Sequence, residues 1–378
     1  MSGPEIFISA GEVSGDQHAA ALLTQLRRLR PDLSAWGVGG PRLAAAGQHQ
    51  VAGIEQLSLV GITEVLPRLG SILALLRRLG RELARRRPAV VLLVDAPDFN
   101  LRLARAAHAL GLRVVYFITP QVWAWRRGRL ADIRRTVDLA LCILPFEEPF
   151  FREAGIRTEY VGHPLVDLVR PSAPARELRA DLGLDPARPV VALLPGSRRS
   201  EVRALLPSLL GASKLLSRRT PAPQFVVPAA SPAVRPLLAP LAGEPLAARI
   251  FDGRAWDCLA AADAAVVASG TATLETALIG TPFVAVYRIS PLSYAIARRL
   301  VRARWASLPN LLLGEPAVLE LLQSECRPET IATEIERLFD DPAAAALLKE
   351  KCGKVRALLG PGGATARAAA AVAREAGW

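Results

Sequence analysis

The run Val90-Val91-Leu92-Leu93-Val94 is apolar at every position. A strand with one wet face alternates apolar and polar residues, so an unbroken run predicts a strand covered by helices on both faces of a parallel sheet. Strand candidates of this kind recur through the first half at 5–10, 34–38, 89–94, 113–118, 139–143 and 159–161. A second series follows at 190–194, 224–228, 248–251, 263–268 and 281–286, with helical segments between strands in both halves. Residues 164–189, rich in Pro and charge, predict a linker holding one short helix near 176–182. The chain therefore predicts an α/β fold of two doubly wound domains, with ligands at the carboxyl ends of the strands. The expected boundaries are 1–170 and 171–358, with a last helix in 359–378 behind the break Gly360-Pro361-Gly362-Gly363.

Composition narrows the function classes. Hydrophobic residues make up 51% of 378 residues and mean hydropathy is +0.26. Yet no run reaches the ~20 apolar residues of a membrane span. The chain enters its first strand by Glu5, which leaves no signal peptide. Cys142, Cys258, Cys326 and Cys352 are scattered, form no CxxC pair, and read as reduced, buried thiols of a cytosolic protein. A net charge of +12 asks for an anionic partner. Four Tyr and no aromatic–basic interleaving speak against nucleic acid. His18, His49, His108 and His163 are too dispersed for a metal site, so neither metal nor cofactor is expected.

Several segments could carry chemistry. Ser269-Gly270-Thr271 ends an apolar run and opens a helix, the setting in which main-chain N–H groups meet a diphosphate; Glu275, one turn on, could hold ribose hydroxyls. A packing turn is the rival reading there. Gly11-Glu12-Val13-Ser14-Gly15-Asp16 follows the first strand, with Ser14 or Asp16 placed to cap the next helix and Glu12 left without a structural duty. Asp95-Ala96-Pro97-Asp98-Phe99-Asn100 puts two carboxylates at a strand end, Asp98 serving either as a base or as the N-cap of a helix starting near Phe99. Trp123 and Trp125 could stack on a sugar or acyl chain, or simply pack the core. Gly196 and Ser197 could expose backbone donors beside the Arg198 guanidinium. Asn310 reads as a helix cap. Residues 65–87 combine Leu66, Leu69, Ile72, Leu73, Leu76 and Leu83 with seven arginines. That is the pattern of an interfacial membrane helix, or of a core helix with a basic wet face. Arg298, Arg299, Arg302 and Arg304, after Tyr287-Arg288, form a second basic cluster.

Together these segments resemble the lipid-A-disaccharide synthase family of glycosyltransferases. The likeness also takes in Val60-Gly61-Ile62, Glu64-Val65-Leu66, Leu144-Pro145-Phe146-Glu147 and Gly162-His163-Pro164, in order along nearly the whole chain. It departs most in the tail. The resemblance implies a GT-B architecture, two Rossmann-like domains facing across a cleft, with the last helix returning to the first domain. It implies transfer of 2,3-diacylglucosamine from its UDP conjugate to 2,3-diacylglucosamine 1-phosphate, without a metal. It further implies Asp98 as base, with Glu12 and Asp95 near the sugar. Ser14, Ser197, Arg198, Ser269, Gly270, Thr271, Glu275, Arg288 and Asn310 would bind substrate. The first domain would meet the acceptor and an anionic inner-membrane surface, making the protein cytoplasmic and peripheral, and a homodimer is compatible with all of this. The rivals are another UDP-sugar GT-B enzyme, such as a muramyl-lipid N-acetylglucosaminyltransferase or a UDP-N-acetylglucosamine 2-epimerase, and a non-catalytic binding module.

Overall fold

The computed structural model describes residues 3–56, 62–124, 126–290, 294 and 303–378, with backbone alone for 62–69. Val60, Gly61, Trp125, Arg298, Arg299 and Arg302 lie outside the described residues, as do the side chains of Leu66 and Leu69. The chain divides into two compact units, Met1–Pro164 with Pro361–Trp378, and Leu165–Gly360.

In the first unit a parallel sheet is built from β1 (Glu5–Ala10), β2 (Ser34–Gly39), β3 (His49–Gly53), β4 (Val90–Val94), β5 (Val114–Phe117), β6 (Leu139–Cys142) and β7 (Thr158–Tyr160). Their order is β3-β2-β1-β4-β5-β6-β7. Progression reverses between β1 and β4, where Ala10 faces Val94, so the loops leaving these strands part and open a crevice at the carboxyl edge. All five residues of β4 are inaccessible to solvent, as its composition requires. One face of the sheet is covered by helices Val13–Leu29 and Ala364–Ala376, whose Leu22, Leu23, Leu26, Ala368, Ala369 and Val372 share one core. On the other face Leu79, Leu83, Leu103 and Ala107 close over Phe7, Trp36 and Tyr116.

The helix expected over 65–87 spans Ile62–Arg86. Among its described side chains Leu75, Leu79 and Leu83 are buried while Leu73 is exposed, so the core stripe runs at every fourth residue and leaves Arg77, Arg78 and Arg81 in water. β3 was not legible in the sequence. It is an edge strand of mixed polarity, paired through an irregular register beside Gly37.

The second unit repeats the plan with β8 (Val190–Leu194), β9 (Gln224–Ala229), β10 (Arg249–Asp252), β11 (Ala264–Ala268), β12 (Phe283–Tyr287) and β13 (Glu320–Leu322). The order β10-β9-β8-β11-β12-β13 reverses between β8 and β11. The segment expected to be a linker is instead bound to this unit. Ser172 donates its N–H and hydroxyl to the Asp257 carboxylate at 2.8 and 3.0 Å. Arg179, on helix Ala175–Asp181, donates to the Ala261 carbonyl and to Asp263. Proline and charge there serve an irregular path over the surface, held by side-chain bonds.

The tail closes the first unit. Beyond its apolar face, Glu375 takes a bidentate pair from Arg157 at 3.0 and 2.6 Å, and Arg367 donates to the Val161 carbonyl at 2.9 Å. Val372→Asp should destabilise the protein by roughly 3 kcal/mol or more in urea unfolding, because the carboxylate has no partner in that core. Ala370→Asp, on the exposed side of the same helix, should change it by about 0.5 kcal/mol or less. Equal costs would contradict this packing.

Candidate active site

At the first switch point Asn100 is fully buried and ties the two diverging strands. Its Nδ2 donates to the carbonyls of Ser9, Val94 and Asp95 at 3.3, 3.1 and 2.8 Å, and its Oδ1 accepts from Ser9 Oγ at 2.7 Å. Tyr116 adds a hydroxyl bond to the Asp95 carbonyl at 2.6 Å. These bonds hold Asp95 and Ala96 in left-handed backbone, φ 52 and 46. Two successive non-glycine residues there are costly, and such strain gathers at functional sites.

That turn changes the role expected of Asp98. The helix begins at Pro97 rather than Phe99, because proline's fixed φ suits the first helical position and Ala96 occupies the N-cap. Asp98 therefore lies inside the first turn and caps nothing. Its carboxylate is exposed and accepts at Oδ1 from Arg126 Nη1 at 2.9 Å and from Arg129 Nη2.

The loop after β1 sorts its polar groups differently from either sequence reading. Neither Ser14 nor Asp16 caps helix Val13–Leu29; Glu12 stands at its N-cap without a capping side-chain bond. Glu12 and Ser14 are exposed. Asp16 is buried, and its oxygens accept the N–H groups of Gly40, Arg42 and Leu43 at 2.7, 3.0 and 3.1 Å, capping the next helix, Pro41–Ala45. His18 and His163 are both held neutral at pH 7 by burial, down to about 4 and about 3. Among the described residues no cluster of His, Cys, Asp or Glu could hold a metal.

After β5, Trp123 sets its edge against Phe146, with ring centroids 4.9 Å apart, and donates its indole N–H to Glu147 at 3.0 Å. The same buried carboxylate accepts the N–H groups of Ile143 and Leu144 at 3.2 and 3.0 Å. Its donors favour the ionised form, but burial outweighs them and pushes its pKa up to about 7. Nothing in the local sequence pattern assigns Glu147 a task. The opening of helix Glu147–Glu153 straight after β6 was the available signal.

In the second unit the switch-point loops follow β8 and β11. Gly196 takes φ +111, and Glu201 folds back beneath it. Glu201 accepts the N–H groups of Ser197 and Arg198 at 3.1 and 3.2 Å, and Arg198 Nη1 at 3.0 Å. The backbone donor expected of Ser197 is thus spent within the chain. A Glu three residues into a helix is the pattern that announces such a box. The Arg198 side chain is 61% exposed, and its helix starts beside a hollow of about 560 Å³ lined by Ser200, Glu201, Arg203, Arg288 and Ser290. Arg288 is braced by donating to Ser208 Oγ at 3.1 Å.

Beyond β11, Gly270 takes φ +145 at the N-cap of helix Thr271–Ile279, with no side chain capping it. Ser269 Oγ donates to the Ala306 carbonyl at 2.6 Å. Burial raises the Glu275 pKa, opposed by a hydrogen bond from Trp256, an aromatic that sequence reading passed over. Asn310 is not a helix cap. It is buried inside helix Leu308–Leu313, donating to the Val318 carbonyl and to Glu320, and accepting from the N–H groups of Ala317 and Val318, each at 2.8 Å. Glu320 in turn accepts the N–H groups of Ala306 and Ser307 at 2.8 and 2.9 Å. Asn310 therefore reaches Ser269 through that turn.

The Glu147 carboxyl yields a pH prediction. Its folded pKa lies above its unfolded value of 4.5, so its contribution is complete below pH 4.5 and is lost as pH rises through about 7. Against Glu147→Gln as a non-titrating reference, wild-type stability should fall by up to roughly 3 kcal/mol across that window and flatten above it. Urea unfolding at a series of pH values checks this, and a pH-independent difference would contradict it.

A family model described as lipid-A-disaccharide synthetase matches residues 6–373. A protein named lipid-A-disaccharide synthase, from Anaeromyxobacter dehalogenans strain 2CP-C, is 49% identical over 367 residues, covering 97% of this chain and 96% of that one. Among solved structures, UDP-GlcNAc 2-epimerase from Neisseria meningitidis bound to UDP-GlcNAc aligns with TM-score 0.64 at 12% identity, over 99% of this chain and 100% of that one. The glycotransferase of kitacinnamycin aligns with TM-score 0.64 at 17% identity, over 99% of both chains. At such low identity the structural likenesses speak to the fold alone, which is of GT-B type. The sequence match runs through every loop described above, and the chain belongs to the lipid-A-disaccharide synthetase family.

Proposed function

We propose that this protein is an inverting glycosyltransferase. It moves 2,3-diacylglucosamine from UDP to the 6-hydroxyl of 2,3-diacylglucosamine 1-phosphate, giving lipid A disaccharide 1-phosphate and UDP. The observation that carries this reading is the family match across both switch points, of which one bears exposed carboxylates and the other an exposed guanidinium and an uncapped helix start.

An α-linked donor giving a β-linked product requires one displacement. The bond from O6 to the anomeric carbon forms as the bond to the diphosphate oxygen breaks, and the electron pair leaves with UDP. Asp98 takes the hydroxyl proton. Arg198, the Ser197 hydroxyl and the start of helix Thr271–Ile279, with Gly270 bringing backbone close, offset charge growing on the diphosphate. Glu275 holds the ribose hydroxyls, with its carboxylate fixed by Trp256. Glu12, Ser14 and Asp95 orient the sugars; Arg288 lies on the donor side; Asn310 acts by fixing the turn that Ser269 grips. An epimerase reading has only the fold in its favour.

The acceptor is an amphiphile, so the exposed Arg77, Arg78 and Arg81 serve in this reading to seat the first unit on an anionic membrane surface. No described helix is long and apolar enough to cross a membrane.

Asp98→Asn should lower kcat by about 10²–10⁴ while UDP-sugar binding, measured by calorimetry, stays within about twofold. Near-normal turnover would overturn the assignment of the base. Neutralising Arg77, Arg78 and Arg81 together should weaken co-sedimentation with anionic vesicles by about tenfold or more. Unchanged sedimentation would remove the helix from that role.

A further inference from the structure

We infer that Arg126 and Arg129 recognise the phosphate monoester of the acceptor, and that they hold Asp98 only until that phosphate arrives. The inference rests on the function proposed above. Both guanidiniums converge on one oxygen of Asp98, Arg126 through Nη1 at 2.9 Å and Arg129 through Nη2. Asp98 is 74% exposed and Arg126 47%, so the pair stands open to a ligand, whereas Arg129, at 16%, is set into the surface. Arg126, Arg127 and Arg129 place three positive charges within four residues, and two of them share the Asp98 carboxylate. Arg127 is engaged elsewhere, its guanidinium 5.5 Å from the Phe150 ring centre.

The loop that carries them is built for placement. Arg126 takes left-handed backbone, φ 57, and its carbonyl accepts the Arg129 N–H at 3.0 Å, which brings the two side chains to one edge. The Trp123–Glu147 bond anchors the same loop from beneath.

The chemistry favours an exchange. A phosphate monoester offers three acceptor oxygens and a charge approaching two, so each guanidinium can bond its own oxygen instead of sharing one. Arginine's planar fork suits that geometry. Asp98 Oδ1, relieved of both arginines, is then open to the proton of the acceptor hydroxyl. The base is thereby released by the substrate it serves, and an acceptor lacking phosphate leaves it clamped.

Calorimetry with glucosamine 1-phosphate and with glucosamine, on wild type and on the double variant Arg126→Gln with Arg129→Gln, tests this directly. Wild type should bind the phosphorylated sugar more tightly, and the double variant should lose about tenfold or more of that preference. UDP binding should be unchanged. Lysine at both positions should restore part of the preference. In turnover, the kcat/KM ratio between acceptors with and without the 1-phosphate should collapse in the double variant.

A preference retained by the double variant would overturn the inference. So would its loss together with UDP binding, or loss of anionic-vesicle binding with the phosphate preference intact, since the arginines would then face lipid headgroups. If the wild type forms no disaccharide yet shows arginine-dependent phosphate binding, the proposed reaction and the release of a base fail, and phosphate recognition by the two arginines stands alone.

Discussion

One buried amide sets the geometry of the first unit. Where β1 and β4 part, their terminal carbonyls lose the neighbouring strand that would bond them, and Asn100 supplies the missing donors. Leaving such dry carbonyls unpaired costs roughly 1–3 kcal/mol each, which is the scale needed to hold two residues in left-handed backbone. The Asp95–Ala96 turn follows from that tie. Because the turn is tight, Pro97 opens the next helix at once and Asp98 comes out at the sheet edge rather than at a cap. The position of the carboxylate is thus decided by an interaction made two residues further along the chain.

The second unit solves a similar problem with carboxylates. Glu201 gathers the main-chain donors at the end of β8, and Glu320 gathers those of Ala306 and Ser307. Neither acid is placed to react. Each fixes a loop so that what remains on offer, the Arg198 side chain and the start of helix Thr271–Ile279, has a defined direction. Electrostatic stabilisation of a leaving group depends on such preorganisation, since donors already fixed need not reorganise as charge develops.

The plan of two parallel sheets was legible because buried central strands such as β4 and β11 must be apolar throughout, and nothing else in a short segment looks like that. β3 and β13 escaped notice because edge strands are short and half wet. The loops that carry the candidate site were legible as places, since glycine, proline and acid gathered at strand ends. Individual duties were less so. Asp16 caps a helix 24 residues away, and Asn310 bonds a loop that follows its own helix. Long-range partners leave no local pattern, so a side chain's real work is hidden until the fold brings that partner in. The pairing of Asp98 with Arg126 and Arg129 is of the same kind.

The most direct test of this account is a double-mutant cycle on Asn100 and Asp98, read as transfer rate with UDP affinity measured alongside. If Asn100 acts by presenting Asp98, Asn100→Ala should slow transfer by at least about tenfold with UDP binding intact, and Asn100→Ala combined with Asp98→Asn should be no slower than Asp98→Asn alone. Full activity in Asn100→Ala, or losses that simply multiply, would show that the turn does not govern the carboxylate and that the site is organised by something else.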